Sequence, residues 1–449
     1  MLLSFPPRGN KKGALSMNYF STNKSVPPVS LMDAVIKGLA GDNGLFMPER
    51  IDEFHTSFFK GIHQMSFQEI SFEVARKCFG EEIPEQILED IVYDTLSFEC
   101  PVVQVKDDIF SLELFHGPTL AFKDVGGRFM ARLLAYFLQG YTKEVNVLVA
   151  TSGDTGSAVA NGFLGVPGIK VYVLYPKGLV SEIQEKQFTT LGKNITALEV
   201  DGTFDDCQRL VKSAFLDSEL NKAMILTSAN SINVARFLPQ SFYYFNAFAR
   251  LREIGVKNDP IFSVPSGNFG NLTAGLFAKL MGLPVNRFIA ANNRNDVVYQ
   301  YLKTGNYEPR ASISTIANAM DVGAPSNFAR ILELYNHSHS DISADIIGYS
   351  YTDAQIRETM KQVFVEEKYM LDPHGAVGFR ALKTDLKAGE VGVFLETAHP
   401  AKFIETVEEV LGKGTVQIPE KLEAFIKGEK FSTGMSAEFS DFKDYLFKK

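Results

Sequence analysis

The sequence predicts an α/β fold built from open, mostly parallel sheets with helices on both faces. Short runs of apolar and β-branched residues alternate with amphipathic segments from residue 101 onward, and this alternation is typical of such sheets. Most of the apolar runs are bounded by Gly, Pro or Asn, which is typical of strands. The 449 residues exceed what one hydrophobic core holds, so we expect about two to four units with a cleft between them.

The first of these units, residues 17–100, is expected to be a separate and mostly helical domain. Apolar residues recur at helical spacing over residues 67–79, which predicts a helix there. We interpret residues 1–16 as a leader or an alternative start, because they lack the apolar region of a signal peptide. They are therefore excluded from the predicted fold.

The rest of the chain is predicted to contain six buried parallel strands. These are Val145–Ala150, Ile169–Tyr175, Ile195–Val200, Ile261–Val264, Phe288–Asn292 and Val391–Leu395. Helices are predicted between them, including residues 127–138 and 181–191, and the segment after Gly414 is expected to be a helical cover.

These elements are expected to form two open, twisted α/β domains. Residues 101–141 and 236–449 are assigned to a larger domain, and residues 142–235 to a smaller one. Ligands of such sheets bind beyond the carboxyl ends of the strands, where the strand-to-helix turns gather. The turns that follow the predicted strands are therefore where functional residues are sought.

Composition excludes several classes of protein. The formal net charge of −8 at pH 7 argues against a nucleic-acid partner, which requires a basic face. Cys78, Cys100 and Cys207 are widely spaced without a CxxC pair, so a disulfide framework or a zinc knuckle is not supported and a cytoplasmic location is expected. No segment reaches the roughly 18 uninterrupted apolar residues of a membrane-spanning helix.

A Gly-rich turn follows the strand predicted over residues 261–264 and precedes a helix-like run. Its residues are Ser266, Gly267, Asn268, Phe269, Gly270 and Asn271. The two glycines let backbone N–H groups approach an anion closely, and the asparagines add side-chain donors. A tight turn without a ligand is an equally good interpretation of this turn alone. Because GxxxxGK[ST] and GxGxxG are both absent, a cofactor phosphate is favoured over a nucleotide.

A second turn follows the strand predicted over residues 145–150. It contains Thr151, Ser152, Gly153, Asp154 and Thr155. Its hydroxyls and N–H groups suit a carboxylate, whereas Asp154 argues against a polyphosphate. Taken alone, the turn is better interpreted as a simple N-cap in which Ser152, Asp154 or Thr155 caps the following helix.

Lys123 is the strongest candidate for a reactive residue. It lies between apolar residues 120–122 and Asp124, just before an apolar helix. An amine among apolar groups loses hydration, which lowers its pKa and favours the neutral, nucleophilic form. Most lysines are solvated surface groups, but this one accompanies two anion-binding turns. An amine, a phosphate cradle and a carboxylate clamp together are what an enzyme that uses pyridoxal phosphate needs.

The strand predicted over residues 391–395 ends in Glu396, Thr397 and His399, which would face the same cleft. Thr397 could hydrogen-bond a pyridine nitrogen without forming a full ion pair. A polar strand-to-helix turn is an equally good interpretation. His337 and His339, with Asp341 nearby, lie in a stretch typical of a solvated loop, so no metal site is predicted.

Four motifs in this order resemble the threonine synthase family, in particular its longer bacterial and fungal branch. They are His116–Asp124, Ala150–Ala158, Ser266–Asn271 and Leu395–Lys402. The resemblance implies a fold-type II pyridoxal-phosphate enzyme with a tryptophan synthase β-like fold. It also implies the conversion of O-phospho-L-homoserine and water to L-threonine and phosphate, by γ-elimination and β-addition, in threonine biosynthesis.

The resemblance also implies roles for individual residues. Lys123 would bind the cofactor as a Schiff base, residues 267–271 would hold its phosphate, Thr397 would face the pyridine nitrogen, and residues 151–155 would surround the substrate carboxylate. Arg128 and Lys177 are candidates for binding the substrate phosphate, but structural or surface roles are favoured for both. The alternatives are another fold-type II reaction, such as serine or threonine dehydration or β-replacement, and a cofactor-binding regulator that has lost activity.

Overall fold

The protein was analysed as a computed structural model that describes residues 17–141 and 143–448. The expected leader, residues 1–16, lies outside the described residues. The described residues begin with a short antiparallel pair, followed by helices of which one coincides with the predicted helix over residues 67–79. The elements of this N-terminal part are β1 Tyr19–Ser21, α1 Leu31–Lys37, β2 Phe46–Pro48, α2 Thr56–Gly61, α3 Phe67–Phe79 and α4 Glu85–Thr95.

The strands of the remaining chain are β3 Val102–Lys106, β4 Ile109–Glu113, β5 Val145–Ala150, β6 Ile169–Pro176, β7 Ile195–Asp201, β8 Ile225–Ser228, β9 Ile261–Pro265, β10 Phe288–Asn292, β11 Ile346–Ser350, β12 Gly392–Glu396 and β13 Thr433–Ser436. All six predicted strands are confirmed, as β5, β6, β7, β9, β10 and β12. The sequence analysis missed the others. β8 has four residues and a polar end, and β11 contains a glycine, so neither stands out as a buried apolar run.

The helices of the same part are α5 Lys123–Phe137, α6 Asp154–Phe163, α7 Glu182–Thr189, α8 Phe204–Leu216, α9 Ser218–Ala223, α10 Val234–Phe237, α11 Ser241–Glu253, α12 Gly270–Leu280, α13 Val297–Thr304, α14 Phe328–Leu334, α15 His339–Asp345, α16 Asp353–Glu367, α17 Pro373–Asp385, α18 Ile404–Leu411, α19 Glu420–Ile426 and α20 Phe439–Lys448. The two predicted helices with stated bounds correspond to α5 and α7. None of the described helices is long and apolar enough to cross a membrane.

Two sheets organise the α/β part of the molecule. The larger has the strand order β11-β10-β9-β12-β4-β3 and is parallel except for β3, which pairs antiparallel with β4. The smaller has the order β13-β7-β6-β5-β8 and is parallel throughout. Buried apolar residues fill the space between strands and helices, as expected for sheets covered on both faces.

The C-terminal segment differs from the expected division into domains. β13 pairs with β7 of the smaller sheet, and α20 packs against α8, which covers that sheet. Residues 433–448 therefore lie with the smaller unit and not with the larger one to which residues 236–449 were assigned. The segment after Gly414 is a cover, but it contributes a strand as well as helices. Strand pairing between segments so distant in the chain leaves no local signal in the sequence.

Two helices that carry candidate residues are in backbone contact. A Cβ atom added to Gly127 of α5 would lie 2.8 Å from the carbonyl oxygen of Ala158 in α6, and one added to Gly162 would lie 2.8 Å from the Gly127 carbonyl oxygen. Glycines permit this close approach because they have no side chain. The N-terminus of α5, with Lys123, is thereby brought beside the N-terminus of α6, which follows the turn of residues 151–155.

Candidate active site

The carboxyl ends of both sheets face one cavity. It is lined by residues of the four motifs: Lys123, Ser152, Asp154, Thr155, Gly267, Asn268, Phe269, Gly270, Asn271 and Thr397. β5 of the smaller sheet and β9 and β12 of the larger sheet all end at this cavity. The turns that follow these strands therefore meet there, as is usual for parallel sheets. The structure thus brings together residues that lie up to 274 positions apart, from 123 to 397.

Lys123 is the first residue of α5. The loop that precedes it is hydrogen-bonded to the residues that follow β12. The Phe122 N–H donates to the Thr397 carbonyl oxygen at 2.9 Å, and the His399 N–H donates to the Leu120 carbonyl oxygen at 3.1 Å. Leu120 has a φ of 56°, in the left-handed region that non-glycine residues seldom adopt. This backbone pairing fixes the amine of Lys123 relative to Thr397.

A second set of contacts holds the same loop from the other side. Arg236 Nη1 donates to the Lys123 carbonyl oxygen at 3.1 Å, and the Tyr243 hydroxyl donates to the Phe122 carbonyl oxygen. The Asp124 carboxylate accepts hydrogen bonds from the N–H of Thr119 at 2.9 Å and from its hydroxyl at 2.6 Å. The backbone on both sides of Lys123 is therefore held in place before any ligand binds.

The surroundings of the Lys123 amine favour its neutral form. Loss of hydration in the protein interior is the main cause, and the nearby cations Lys402 and Arg236 act in the same direction, against the attraction of Asp154. Together they lower the pKa of Lys123 from 10.5 to about 8. Nζ accepts and donates no hydrogen bond among the described residues and lies over the Phe122 ring, 5.4 Å from its centroid. The predicted depression of this pKa is present in the structure.

The turn at residues 266–271 forms a cradle of backbone N–H groups. Phe269 adopts a left-handed conformation with φ 61° and ψ 12°, and α12 starts directly after it. Within residues 17–141 and 143–448, nothing accepts a hydrogen bond from the N–H groups of residues 267–271. Unpaired N–H groups at a helix N-terminus are suited to a phosphate. Strain at a non-glycine residue in this conformation is typical of a functional turn.

Neighbouring side chains hold the cradle in shape. Asn271 Nδ2 donates to the Pro265 carbonyl oxygen at 2.9 Å, and Asn268 Nδ2 donates to Ser231 Oγ at 2.8 Å. A Cβ atom added to Gly267 would lie 2.6 Å from the Ala319 carbonyl oxygen. The glycine is therefore required by close packing, and the two asparagine amides help to shape the turn in addition to facing the cavity.

The turn at residues 151–155 divides into supporting and cavity-facing residues. Thr151 Oγ1 accepts hydrogen bonds from the N–H groups of Gly153 at 2.9 Å and Gly156 at 2.8 Å, so this hydroxyl is used within the turn. Gly153 has a φ of 137°, which L-residues with a side chain avoid. Neither Thr151 nor Gly153 lines the cavity. The hydroxyls of Ser152 and Thr155 face it and have no partner among the described residues.

Asp154 differs from the expectation that it surrounds a substrate carboxylate directly. Its Oδ1 lies 2.6 Å from Lys402 Nζ and accepts a hydrogen bond from Gln184 Nε2 at 2.8 Å. The ion pair lowers the pKa of this carboxyl well below its usual range, against the effect of burial. A carboxylate held in this way cannot bind a second carboxylate. The hydrogen-bond donors that remain available in this turn are therefore the hydroxyls of Ser152 and Thr155 and the N–H groups at the N-terminus of α6.

Of the three residues expected to face the cleft after β12, Thr397 alone lines the cavity. Its hydroxyl has no partner in the part of the chain that the structure describes. Glu396 is fully buried behind it, and burial together with nearby Asp372 raises the pKa of Glu396 well above its usual range. His399 Nδ1 accepts a hydrogen bond from the Ala401 N–H at 3.1 Å, and burial lowers the pKa of His399 to about 4. The expectation for Glu396 and His399 was wrong.

Sequence reasoning missed several residues of the cavity wall. Arg236, Ser231, Gln208 and His374 line it from elements that carry no motif. No signal in the sequence marks them, because each reaches the cavity through the packing of its helix or loop. Arg128, considered for the substrate phosphate, instead donates from Nε to the Thr95 carbonyl oxygen at 3.0 Å and lies outside the cavity.

The residues present fit pyridoxal phosphate. The cradle at residues 267–271 offers unpaired N–H groups for a phosphate, and added Cβ atoms at Gly267 or Gly270 would meet neighbouring atoms. Lys123 offers an amine with a lowered pKa for the aldehyde, and Thr397 offers a neutral hydroxyl for the ring nitrogen. The N–H cradle, the amine and the hydroxyl thus correspond to the phosphate, the aldehyde and the ring nitrogen of the cofactor.

Comparison with known proteins agrees with this interpretation. Residues 96–397 match the family model of pyridoxal-phosphate dependent enzymes, residues 18–96 match the threonine synthase N terminus, and residues 375–446 match the threonine synthase C-terminal model. A threonine synthase of Escherichia coli is 46% identical over 412 residues, which cover 92% of this chain and 95% of that protein.

Solved structures show the same relationship. A crystal structure of threonine synthase from Escherichia coli has a TM-score of 0.91 at 44% identity and covers 96% of this chain and 100% of its own. A threonine synthase from Brucella melitensis, solved with pyridoxal phosphate bound, has a TM-score of 0.88 at 34% identity, with coverage of 96% and 99%. The chain belongs to the threonine synthase family of fold-type II, pyridoxal-phosphate-dependent enzymes.

Proposed function

We propose that this enzyme converts O-phospho-L-homoserine and water to L-threonine and phosphate, with Lys123 as the residue that binds the cofactor. The observation that carries the proposal is the convergence of the Lys123 amine, the N–H cradle of residues 267–271 and the Thr397 hydroxyl on one cavity. The names of the similar proteins support the reaction.

The cofactor would be held at three points. Residues 267–271 would hold its phosphate through backbone N–H groups, and the Thr397 hydroxyl would hydrogen-bond its ring nitrogen. Since Thr397 is neutral, it does not hold a proton on that nitrogen as a carboxylate would. Pyridoxal phosphate, when bound, supplies an electron-withdrawing ring that makes the protons of the substrate amino acid acidic. Lys123 supplies the covalent attachment.

Lys123 also fits the role of the acid and base. With its amine free, Lys123 would take the proton from Cα and then a proton from Cβ, so that phosphate leaves from Cγ with the electrons of the broken C–O bond. With a pKa of about 8, the amine both accepts and releases protons near neutral pH. Protons would then be returned to Cγ, which becomes the methyl group, and to Cα, while the oxygen of water adds at Cβ as the threonine hydroxyl and releases a proton.

The substrate carboxylate would bind at the start of α6. The hydroxyls of Ser152 and Thr155 face the cavity without partners among the described residues, and the N-terminus of a helix favours a negative group. Asp154 would not contribute directly, because Lys402 and Gln184 occupy its carboxylate. Thr151 and Gly153 would keep the turn in shape.

The reaction is tested by its products. We expect the purified enzyme to release inorganic phosphate from O-phospho-L-homoserine and to form threonine in equal amount. With serine or threonine as substrate, no keto acid should appear at a comparable rate. A keto acid formed from serine or threonine without phosphate release would favour the alternative, a dehydratase of the same fold type. The two products are measured by a phosphate assay and by a coupled dehydrogenase assay.

The pKa of Lys123 predicts how attachment of the cofactor depends on pH. The neutral amine is the nucleophile, and its pKa is lowered to about 8. The rate of Schiff-base formation should therefore rise with pH, level off above a midpoint near 8, and fall about tenfold for each pH unit below it. Mixing cofactor with the cofactor-free protein over a pH series, followed by absorbance, measures this. A midpoint near the ordinary lysine value of 10.5 would contradict it.

We also propose that the enzyme acts in the cytoplasm. Cys78, Cys100 and Cys207 are free thiols in the structure. Burial raises the pKa of Cys207 to about 12, which makes the reactive thiolate rare. Free, unreactive thiols suit a reducing compartment, where disulfides do not form.

A further inference from the structure

A buried ion pair lies beside Lys123 and links the two sheets. Lys402 Nζ is 2.6 Å from Asp154 Oδ1, and the two side chains are 0% and 4% exposed. Lys402 lies in the 3-10 turn Pro400–Phe403 that follows β12 of the larger sheet, and Asp154 is the first residue of α6, after β5 of the smaller sheet. The pair therefore joins the end of one sheet to the substrate-side turn of the other.

The same ammonium group also contacts the loop that carries Lys123. Lys402 Nζ donates to the Thr119 carbonyl oxygen at 2.8 Å. Thr119 in turn donates to the Asp124 carboxylate, next to Lys123. Lys402 is not part of the cavity wall, so it acts on the reacting groups through its charge and through these neighbours.

The charged groups around Lys123 have opposite effects on its pKa. Asp154 favours a proton on Lys123, whereas Lys402 and Arg236 disfavour it. Asp124 adjoins Lys123 in the chain, and His374 is the other titratable group of the cavity wall, where its Nε2 accepts the Ala319 N–H at 3.2 Å. A buried carboxylate that loses its partner interacts more strongly with the remaining cations, because little water screens it. Besides Lys402, Lys123 is the cation that lowers the pKa of Asp154, so without Lys402 the carboxylate would act mainly on Lys123.

We propose that Lys402 is a positioning residue that neutralises Asp154, and thereby keeps the Lys123 amine unpaired and free to react with the aldehyde of the cofactor. The inference rests on the proposed role of Lys123. It explains why a carboxylate is tolerated beside a lysine that must lose its proton. It also accounts for an acidic residue in a turn that must accept a negatively charged substrate.

A set of charge-removing variants tests this inference. The variants are K402M, D154N and the double variant K402M/D154N. For each full-length protein freed of cofactor, the rate of Schiff-base formation with pyridoxal phosphate is measured by absorbance across a pH series. Removing Lys402 leaves Asp154 to hold a proton on Lys123, so the midpoint should rise by about one pH unit. Removing Asp154 leaves an extra cation, so the midpoint should fall, and the double variant should return close to the native value.

Opposite shifts that cancel in the double variant are the supporting result. A lysine with a purely structural role would lower the thermal stability of K402M and leave the midpoint unchanged, and this result would overturn the inference. Shifts of the same sign in both single variants would overturn it as well. If K402M does not fold, the inference is tested by comparing D154N with the double variant. The midpoint of K402M/D154N must then be higher than that of D154N, and an equal or lower midpoint would overturn the inference.

The K123A protein serves as the blank for these measurements. If it forms the same Schiff base with the same pH dependence, the assignment of Lys123 is wrong, and the role of Lys402 falls with it. If K123A forms none, while the single variants keep the native midpoint, the assignment of Lys123 stands and the inference about Lys402 alone fails. The two failures are therefore distinguishable.

Discussion

Replacing Lys123 with alanine is expected to lower kcat for threonine formation by about 10³-fold or more, because one amine provides both covalent attachment and proton transfer. The protein should keep its fold. Lys123 Nζ makes no hydrogen bond to another described residue, and the backbone contacts of its loop do not involve the side chain. Phosphate release from O-phospho-L-homoserine measures the effect on activity, and thermal unfolding monitors the fold.

Two further variants make this result specific. K123R keeps a positive charge at the same place but offers no amine that can form a Schiff base, so it should be as inactive as the alanine variant. K177A removes an exposed lysine on the loop after β6 and should behave as the native enzyme. Near-native turnover by either variant at position 123 would refute the proposed role. Reduction of the holoenzyme with borohydride, followed by peptide mapping, should place the cofactor on Lys123.

The second large effect is expected from replacing Gly267 with alanine. The added Cβ would lie 2.6 Å from the Ala319 carbonyl oxygen and 2.9 Å from Met320 Cα. Both are backbone atoms, which cannot move aside as a flexible side chain can. The cradle must therefore shift, and its N–H groups lose their alignment toward the phosphate. We expect the affinity for pyridoxal phosphate to fall by about 10- to 100-fold, equivalent to about 1.4–2.8 kcal/mol.

A matched glycine serves as the control for this variant. An added Cβ at Gly61, the last residue of α2, meets no atom within 4 Å, and like Gly267 it does not have a positive φ. G61A should therefore bind the cofactor as the native protein does. Equilibrium titration of the cofactor-free proteins gives the affinities. Excess cofactor should restore part of the activity of G267A but none of that of K123A. Unchanged affinity in G267A would show that the cradle does not hold the phosphate.

Local features of the sequence predicted much of the fold and of the site. The six predicted strands were recognisable because each is a run of buried apolar residues that ends at a turn. Each candidate turn was recognisable as a whole because glycines and hydroxyl or amide residues follow a strand directly. These signals are local, since backbone sterics and strand burial act over a few neighbouring residues.

Residues of the same turns could not be assigned separate tasks from the sequence. Thr151 and Asp154 were grouped with Ser152 and Thr155, yet the Thr151 hydroxyl bonds within the turn and Asp154 is paired with Lys402. Glu396 and Thr397 are adjacent, yet one is buried behind the cavity and the other lines it. Which way a side chain points depends on the element that packs against it, and that element lies elsewhere in the chain.

The sequence by itself determined the α/β class, the strands that carry the candidate site, the choice of Lys123 as the candidate lysine and the family resemblance. Only the tertiary structure decided that β13 joins the smaller sheet, that Arg236 and His374 complete the cavity, and that Lys402 neutralises Asp154. The physical reason is the range of the interactions. Strand and turn preferences arise between neighbours in the chain, whereas Lys402 reaches the Thr119 carbonyl across 283 positions through packing alone.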